Sequence, residues 1–264
     1  MAETQNEAFA LRVEDGVGWI TLNRPDQINA INDAIRHGVP AALRQFDADP
    51  AVRVIAIHGA GPRGFCAGAD IKETRGPETP IQSRTRLRRN AWIESFDTIS
   101  KPIVAALHGF CMGGGLEIAL ACDVRIAAPD TVFALPEVNL GLIPGGGGTQ
   151  RLPRLIGLGP ALDILMFGDR FNAQEALRLG VVSRLTSSAE TLLEETTALV
   201  QRLAAKPPTA LAYVKEAARG GSQLSLAAGL DIERNLFALL QDSAERREAA
   251  AAFREKRAPN FDDL

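Results

Sequence analysis

Two glutamates in apolar, glycine-rich surroundings are the residues of this chain best suited to chemistry. Glu117 follows three consecutive glycines at 113–115, and Glu137 is the only charged side chain between Asp130 and Arg151. A single carboxyl group in such a segment is as often a salt-bridge partner or a turn residue. Two of them, each beside a glycine-rich segment, favour general acid and base catalysis, because burial and a neighbouring carboxylate move pKa values towards neutrality.

Backbone N–H groups at two turns of small residues are a second chemical resource. Residues 103–107 are apolar, and residues 116–121 contain good helix formers, so we predict a strand, a glycine-rich turn and a helix. The unpaired N–H groups at the start of that helix are suited to stabilise a developing negative charge. Residues 67–69, Ala-Gly-Ala, are a candidate for the second half of an oxyanion site, and a simple tight turn is the alternative.

Strands and helices that position these turns alternate along the first part of the chain. The predicted strands are residues 9–13, 18–22, 52–59, 103–107, 131–135 and 181–185. The first two form a hairpin. A helix that begins at Asn32 or Asp33 is predicted to break near Val39, because Gly38 and Pro40 lie inside its pattern.

The rest of the chain is predominantly helical in pattern. From about residue 189 to residue 257 we predict helices only, broken at 206–208 and at 220–221. Strands and helices followed by helices alone predict an α/β core with an added helical region.

Before the core strand at 103–107, glycine and prolines predict a loop. Arginines that follow are typical of a solvated helix face, or else of a site for phosphate or an acidic neighbour: Arg84, Arg86, Arg88 and Arg89.

Composition and charge indicate an ordinary globular protein. The 264 residues are 46% apolar and 23% charged, and the net charge of −3 gives no indication of a polyanion-binding surface. We find no signal-peptide pattern and no apolar run near the ~20 residues that a membrane span needs. Cys66, Cys111 and Cys122 lack metal-ligand spacing, so we expect reduced thiols in a cytoplasmic protein.

Sequence patterns of several other catalytic sites are absent. The glycines are contiguous instead of spaced as in a dinucleotide-binding turn, and Gly148 is followed by threonine where a phosphate-binding loop has lysine. Neither H-E-x-x-H nor G-x-S-x-G occurs. A nucleophilic Cys66 or Cys111 beside His108 would lack an orienting carboxylate. We therefore expect neither a metal nor a redox cofactor.

Several ordered motifs resemble those of the crotonase family, and within it most closely the enoyl-CoA hydratases. They are residues 65–72, 108–117, 122–123, 136–137, 141–152 and 252–257. The resemblance implies an α/β fold of ββα units in a spiral over residues 1–190. It also implies a C-terminal helical region, residues 191–264, that builds trimers, which pair into hexamers.

The resemblance further implies an acyl-CoA thioester substrate and assigns roles to the residues above. The N–H groups of Ala69 and Gly114 would bind the thioester oxygen, Glu117 would activate water for addition to C3 of a trans-2-enoyl-CoA, and Glu137 would supply the C2 proton. The product is a 3-hydroxyacyl-CoA. Other residues implied to bind the acyl-CoA are Arg24, Ile28, Ala67, Asp70, Ile71, Lys72, Pro136, Phe237, Phe253 and Lys256. Coenzyme A is then part of the substrate, and no separate cofactor is implied.

Other functions stay open at this point. An enoyl-CoA isomerase or another acyl-CoA lyase of the same fold is the main alternative, although the presence of both acids argues against a single-acid isomerase. A non-catalytic acyl-CoA-binding subunit would be expected to lack Glu117 or Glu137. Phe253 and Lys256 are as easily explained by packing of the tail. An RNA-associated relative would need a basic surface, which the net charge disfavours.

Overall fold

The computed structural model describes residues 4–70, 72–73 and 76–261. Its strands are β1 (Thr4–Asn6), β2 (Phe9–Glu14), β3 (Val17–Leu22), β4 (Val54–Gly59), β5 (Ile103–Leu107), β6 (Phe110–Met112), β7 (Val124–Ala127), β8 (Val132–Ala134), β9 (Phe171–Asn172) and β10 (Arg184–Leu185). Its α-helices are α1 (Asp33–Ala48), α2 (Pro80–Arg89), α3 (Gly114–Ala121), α4 (Gly148–Ile156), α5 (Leu158–Phe167), α6 (Ala173–Leu179), α7 (Leu192–Ala204), α8 (Pro208–Gly221), α9 (Leu226–Leu240) and α10 (Ala244–Glu255).

One large sheet forms the centre of the molecule. Its strand order is β1-β2-β3-β4-β5-β7-β10. The first three strands are antiparallel neighbours, which confirms the predicted hairpin, and every later pair is parallel. Parallel neighbours need long connections between them, and the helices provide these.

Buried side chains alternate between the two faces of this sheet. In β3, Ile20 and Leu22 pack into the cluster that contains α1 and α3, whereas Val17 and Trp19 pack into a second cluster with Leu192 of α7. Because side chains of a strand point alternately to opposite faces, an apolar residue at every position means that both faces are covered. This is the case for β5, in which all five residues are buried.

A smaller sheet brings the two glutamates to one end of the molecule. It consists of β6, β8 and β9, with β6 and β8 parallel. β6 leads through Gly113 into α3, and β8 leads into a 3-10 helix, Pro136–Leu140. The carboxyl ends of parallel strands lie at the same edge of a sheet, so the segments that carry Glu117 and Glu137 start from neighbouring points.

Helix α1 runs unbroken over Asp33–Ala48, so the predicted break near Val39 is wrong. Pro40 removes only one hydrogen bond of the helix, while the side chains of Val39 and Pro40 are buried in the core. Gly38 allows the ring of Phe9 to pack against the helix, since a Cβ atom there would lie 2.0 Å from Phe9 Cε1. Core packing therefore outweighs the local preference of the sequence.

The arginine-rich segment forms α2, in which Arg84, Arg88 and Arg89 are exposed as a solvated helix face predicts, whereas Arg86 is half-buried and has an acidic neighbour. Pro80, assigned to the preceding loop from the sequence, is the first residue of this helix, where its missing N–H leaves no hydrogen bond unmade. Thr79 and Gln82 form a capping box. Arg86 pairs with Glu78 at 2.9 Å.

Helices α7–α10 complete the chain. The predicted break at 206–208 lies between α7 and α8, whose first residue is Pro208. The break predicted at 220–221 is misplaced, because Gly220 and Gly221 are the last two residues of α8 and the interruption before α9 lies at 222–225. An unpredicted break at 241–243 precedes α10, which Ser243 caps. α7 packs on the sheet, whereas α8 packs mainly against α9. The division of the chain at residue 190 stays a prediction. Within the described residues, no helix is long and apolar enough to cross a membrane.

Candidate active site

Two glycines shape the turn between β6 and α3. Gly113 has a φ of +50°, which glycine adopts without steric cost, and its N–H donates to the carbonyl oxygen of Ala134 in β8 at 2.9 Å. Gly115 packs against the neighbouring segment so closely that a Cβ atom would lie 2.3 Å from the carbonyl oxygen of Cys66. The run of glycines is therefore required for both the turn and the close approach of the two segments.

The segment around Ala69 borders this turn. The N–H of Ile31 donates to the carbonyl oxygen of Gly68 at 2.8 Å, and that of Asp70 donates to the carbonyl oxygen of Ile31 at 3.0 Å, which leaves the Ala69 N–H outside the pairing. A Cβ atom on Gly68 would lie 3.3 Å from Gly114 N, and one on Gly114 would lie 3.7 Å from Ala69 N. In the described part of the chain, neither the Ala69 nor the Gly114 N–H has a hydrogen-bond partner.

Glu117 lies in the first turn of α3 with 4% of its surface exposed. Its Oε1 accepts the N–H groups of Gly146 at 2.7 Å and Gly148 at 2.8 Å. Burial raises the pKa of Glu117, while these two hydrogen bonds and the positive charge of Arg151 oppose the rise. A carboxyl group with a raised pKa is suited to exchange protons closer to neutral pH.

Glu137 lies in the 3-10 helix that follows β8 and is half-buried. Its carboxyl group touches the glycine turn, since a Cβ atom on Gly113 would lie 3.0 Å from Glu137 Oε1. Oε2 is buried and has no hydrogen-bond partner among the described residues. Burial raises the pKa of Glu137, its own backbone N–H opposes the rise, and the negative charge of Glu117 adds to it.

This arrangement brings two carboxyl groups that form no ion pair in the described residues close to two free N–H groups. The N–H groups of Ala69 and Gly114 are suited to bind an oxygen that gains negative charge, as a carbonyl oxygen does when a carbanion forms next to it. Glu117 and Glu137 are suited to move protons to and from the atoms beside that carbonyl. The geometry fits proton transfer and water addition next to a thioester or similar carbonyl group.

Four of the residues predicted to bind acyl-CoA lie together beside Ala69. Arg24 Nη2 pairs with Asp70 Oδ2 at 2.9 Å, and this hydrogen bond holds the pKa of the Asp70 carboxyl group below its usual range. The Ala67 N–H donates to the carbonyl oxygen of Ile28 at 2.9 Å, and Ile28 has a left-handed φ of +51°. The segment that contains Arg24 and Ile28 and the segment that contains Ala67 and Asp70 therefore hold each other in position next to the candidate oxyanion site.

The remaining predicted residues have different positions. Lys72 is exposed and its N–H donates to Asp70 Oδ1 at 3.0 Å, and Pro136 directly precedes Glu137. Ile71 lies outside the described residues. The residues predicted on the C-terminal helices are exposed to solvent in the single chain: Phe237 on α9, Phe253 on α10 and Lys256 just after it. Their proposed contacts with the nucleotide stay a prediction.

Some residues that position the site were missed in the sequence. The glycine run at 145–148 was visible, but the pattern gave no sign that the Gly146 and Gly148 N–H groups bind Glu117. Asn29 is fully buried, accepts the N–H of Arg24 at 2.9 Å and donates to two backbone carbonyl groups. Its partners are distant in sequence or in an irregular turn, so no local pattern identifies it.

Comparison with known proteins identifies the family. A family model described as enoyl-CoA hydratase/isomerase matches residues 12–264. The chain belongs to this family, the crotonase family. A probable enoyl-CoA hydratase of Rhizobium meliloti is 40% identical over 255 residues, which cover 97% of this chain and 98% of that relative. The mitochondrial enoyl-CoA hydratase of Pongo abelii is 38% identical over 247 residues, with coverages of 94% and 84%.

Solved structures give the same result for the crotonase fold. The crystal structure of an enoyl-CoA hydratase from Bacillus anthracis superposes with a TM-score of 0.91 at 36% identity, covering 97% of this chain and 100% of that one. The expected α/β crotonase-like fold is therefore confirmed. Members of the crotonase family act on acyl-CoA thioesters and are generally oligomeric.

Proposed function

We propose that this protein is an enoyl-CoA hydratase, which adds water reversibly to a trans-2-enoyl-CoA and forms a 3-hydroxyacyl-CoA. The observation that carries the proposal is a pair of buried carboxyl groups, Glu117 held by two N–H groups and Glu137 with an unpartnered Oε2 among the described residues, beside two free backbone N–H groups. Hydration needs both parts, because a proton and a hydroxyl group are added while the thioester oxygen becomes enolate-like.

The N–H groups of Ala69 and Gly114 bind the thioester oxygen in this mechanism. Attack of water on C3 moves the double-bond electrons towards C2 and the carbonyl group, so negative charge develops on that oxygen. Gly114 is the first residue of α3, and the positive end of the helix dipole adds to the stabilisation. Removal of one such donor in an oxyanion site typically costs about 3 kcal/mol of transition-state stabilisation.

Glu117 acts as the base for water, and Glu137 gives a proton to C2. Two backbone N–H groups donate to Glu117 Oε1 and favour its ionised form, whereas Glu137 Oε2 has no donor in the described structure and Glu137 lies in the negative field of Glu117. This difference supports the assignment. Because the two carboxyl groups interact, their protons titrate as a pair, and the roles reverse in the dehydration direction.

The coenzyme A part of the substrate extends from the loop formed by Arg24, Ile28, Ala67 and Asp70. This loop ends at Ala69, the proposed oxygen-binding residue, so a thioester bound there leaves the pantetheine chain along the same segment. Lys72, shortly after Ala69 in the chain, is exposed and able to meet a phosphate group. Phe237, Phe253 and Lys256 are proposed to contact the nucleotide.

Exposed apolar side chains support a homo-oligomer, which we propose to be a trimer or a hexamer. The 3-10 helix Pro136–Leu140 contacts α5, and both carry apolar residues with more than half of their surface exposed: Leu140, Met166 and Phe167, followed by Leu142 and Ile143 in the adjoining loop. Such groups mark an interaction surface. A monomer in light scattering at micromolar concentration would contradict this proposal.

The decisive measurement is the loss of enoyl-thioester absorbance with crotonyl-CoA. We expect rapid loss with the parent protein and a decrease in kcat of about 10²–10⁴-fold in Glu117→Gln and in Glu137→Gln, since each removes a proton-transfer group. Glu175→Gln is the matched control, because Glu175 is a glutamate of α6 that pairs with Arg178. Absence of turnover by the parent with crotonyl-CoA and with longer enoyl-CoA substrates would overturn the hydratase proposal.

The isomerase alternative is separated from hydration by a different substrate. A single unpartnered acid such as Glu137 is sufficient to move a proton between C2 and C4 of a 3-enoyl-CoA, which increases the enoyl-thioester absorbance. An isomerase would show this increase in the parent and would retain it in Glu117→Gln. We expect the two-acid hydratase to consume 2-enoyl-CoA faster than it forms it from the 3-enoyl isomer.

A further inference from the structure

A chain of ion pairs joins the C-terminal helix α8 to the core near the last residue of α3, the helix that carries Glu117. Arg219 of α8 donates from Nη1 to Asp97 Oδ1 at 2.9 Å and from Nη2 to Asp123 Oδ1 at 2.8 Å. The same Nη2 also donates to the carbonyl oxygen of Ala121, the last residue of α3, at 2.8 Å. Lys215, one turn earlier in α8, pairs with Asp123 Oδ2 at 2.8 Å.

Asp97 extends this chain to Arg151 of α4. The two groups form a bidentate pair, with Nη1 to Oδ1 at 2.9 Å and Nη2 to Oδ2 at 2.6 Å. One carboxylate therefore accepts from Arg151 and from Arg219. Such planar, two-point contacts fix the direction of the guanidinium group as well as its distance.

Arg151 in turn lies against the backbone that binds Glu117. A Cβ atom on Gly147 would lie 3.0 Å from Arg151 Nε, and the Arg151 N–H donates to the Gly147 carbonyl oxygen at 2.7 Å. Gly147 separates the two residues, Gly146 and Gly148, whose N–H groups donate to Glu117. Burial raises the pKa of Glu117, and the charge of Arg151 opposes this rise. Movement of Arg151 therefore affects both the hydrogen bonds and the electrostatic potential at Glu117.

The ion pairs span a cleft instead of a packed interface. A space of about 920 Å³ lies between α4 and α8, and Asp97, Arg151 and Arg219 line it. α8 itself packs mainly against α9. No residue of α8 is buried, and the ion pairs of Lys215 and Arg219 join this helix to the core at this point.

We propose that Arg219 and Arg151, joined by Asp97, are positioning residues for Glu117. The position of α8 relative to the core then determines the geometry and the proton affinity of the catalytic base. The inference rests on the proposed function of Glu117. It assigns the C-terminal helix an effect on catalysis that needs no contact between that helix and the substrate. None of the three side chains is proposed to touch the reacting atoms.

The test compares Arg219→Gln, Asp97→Asn and Arg219→Lys with the parent protein. We expect Arg219→Gln and Asp97→Asn to lower kcat for crotonyl-CoA about tenfold to a hundredfold with little change in KM, as small misplacements of a catalytic group do. The acid limb of the pH–kcat profile should move to higher pH, because weaker N–H contacts and a displaced Arg151 both raise the pKa of Glu117. Arg219→Lys keeps the positive charge but lacks the planar guanidinium group that contacts two carboxylates at once, and it should show a smaller effect.

Two controls separate positioning from mere stability. Arg178→Gln removes an exposed arginine of α6 that pairs with Glu175, and should leave kcat and the pH profile unchanged. The titration of the Glu117 carboxyl group by ¹³C NMR, assigned with Glu117→Gln, measures the same pKa change without turnover. It therefore tests the inference even if the hydratase proposal fails with every enoyl-CoA.

The outcomes are distinct. A lower kcat with a raised Glu117 pKa in Arg219→Gln or Arg219→Lys supports the inference. Unchanged kcat and unchanged Glu117 titration in Asp97→Asn and in a folded Arg219 variant overturn it, even if the thermal unfolding temperature falls, because the ion pairs would then only hold the tail.

Discussion

A methyl group added at Gly114 tests the proposed oxygen-binding site most directly. In Gly114→Ala, the new Cβ atom would lie 3.7 Å from Ala69 N, within the space where a thioester oxygen must come to about 3 Å from both N–H groups. The protein has only to move Ile31 Cδ1, the end of a flexible side chain, from 2.8 Å. Alanine also favours a helix over glycine by about 0.5–1 kcal/mol.

We therefore expect a large effect on catalysis with a small effect on folding. The value of kcat should fall about 10²–10³-fold, which corresponds to ~3–4 kcal/mol of transition-state stabilisation. The free energy of unfolding should change by less than about 1 kcal/mol, since helix preference and the displaced methyl group act in opposite directions.

The assay is the loss of enoyl-thioester absorbance, with denaturant unfolding measured on the same preparations. Gly159→Ala is the matched control: Gly159 is in the first turn of α5, and an added Cβ atom there meets no atom within 4 Å. It should retain full activity. A Gly114→Ala protein that keeps kcat within about fivefold of the parent, equivalent to ~1 kcal/mol, would refute binding of the oxygen between these N–H groups.

Three further results are expected. The acid limb of the pH–kcat profile should lie above pH 4.5, the ordinary pKa of a glutamic acid side chain, because burial raises the pKa of Glu117 and the reaction needs this group ionised. An acid limb at or below pH 4.5 would contradict this. Glu137→Gln should have a higher free energy of unfolding than the parent at neutral pH, and this advantage should shrink towards pH 4.5. The raised folded-state pKa of Glu137 gives the parent stability that is present at low pH and lost as pH rises through that pKa, whereas the neutral glutamine has no such loss. Gly38→Ala should lower the free energy of unfolding by about 1–3 kcal/mol, because its Cβ atom would lie 2.0 Å from the buried ring of Phe9; equal stability to Gly159→Ala in denaturant would contradict this.

The strands of the core were predictable because their signal is local. A run such as Ile103–Leu107 has no polar position, so a strand covered on both faces is the natural interpretation, and both faces are covered. The break expected in α1 was wrong for the opposite reason. Gly38 and Pro40 are local helix breakers, but the contact of Gly38 with Phe9 and the burial of Pro40 depend on residues far along the chain.

The residues of the candidate site likewise fall into those that local sequence identified and those that only the tertiary fold brings together. Glu117, Glu137 and the glycine turn were identified from neighbours in sequence, because an isolated acid in an apolar segment is a local feature. The donors to Glu117 were not, since Gly146 and Gly148 are brought to α3 by the tertiary fold. Small residues at 67–69 suggested the second half of an oxyanion site, but only the family resemblance selected the Ala69 and Gly114 N–H groups, because no spacing in the sequence shows which two turns meet.

Carboxyl groups that accept a hydrogen bond from an arginine have lowered pKa values in this protein, whereas burial raises the pKa values of Glu117 and Glu137. A hydrogen bond from Arg24 lowers the pKa of Asp70, and an arginine lowers that of Glu248 to about 2. Such groups stabilise the fold above their ordinary pKa, and this stability is lost as pH falls through the folded-state value. Glu117 and Glu137 have raised pKa values and oppose folding as pH rises. A bidentate arginine on Glu137 would remove that cost, but it would also hold this group ionised at neutral pH and so prevent its proton donation. At Glu117, two backbone N–H groups orient the carboxyl group, while Arg151 acts on it through its charge and forms no ion pair with it in the described residues, so Glu117 is oriented without a direct arginine contact.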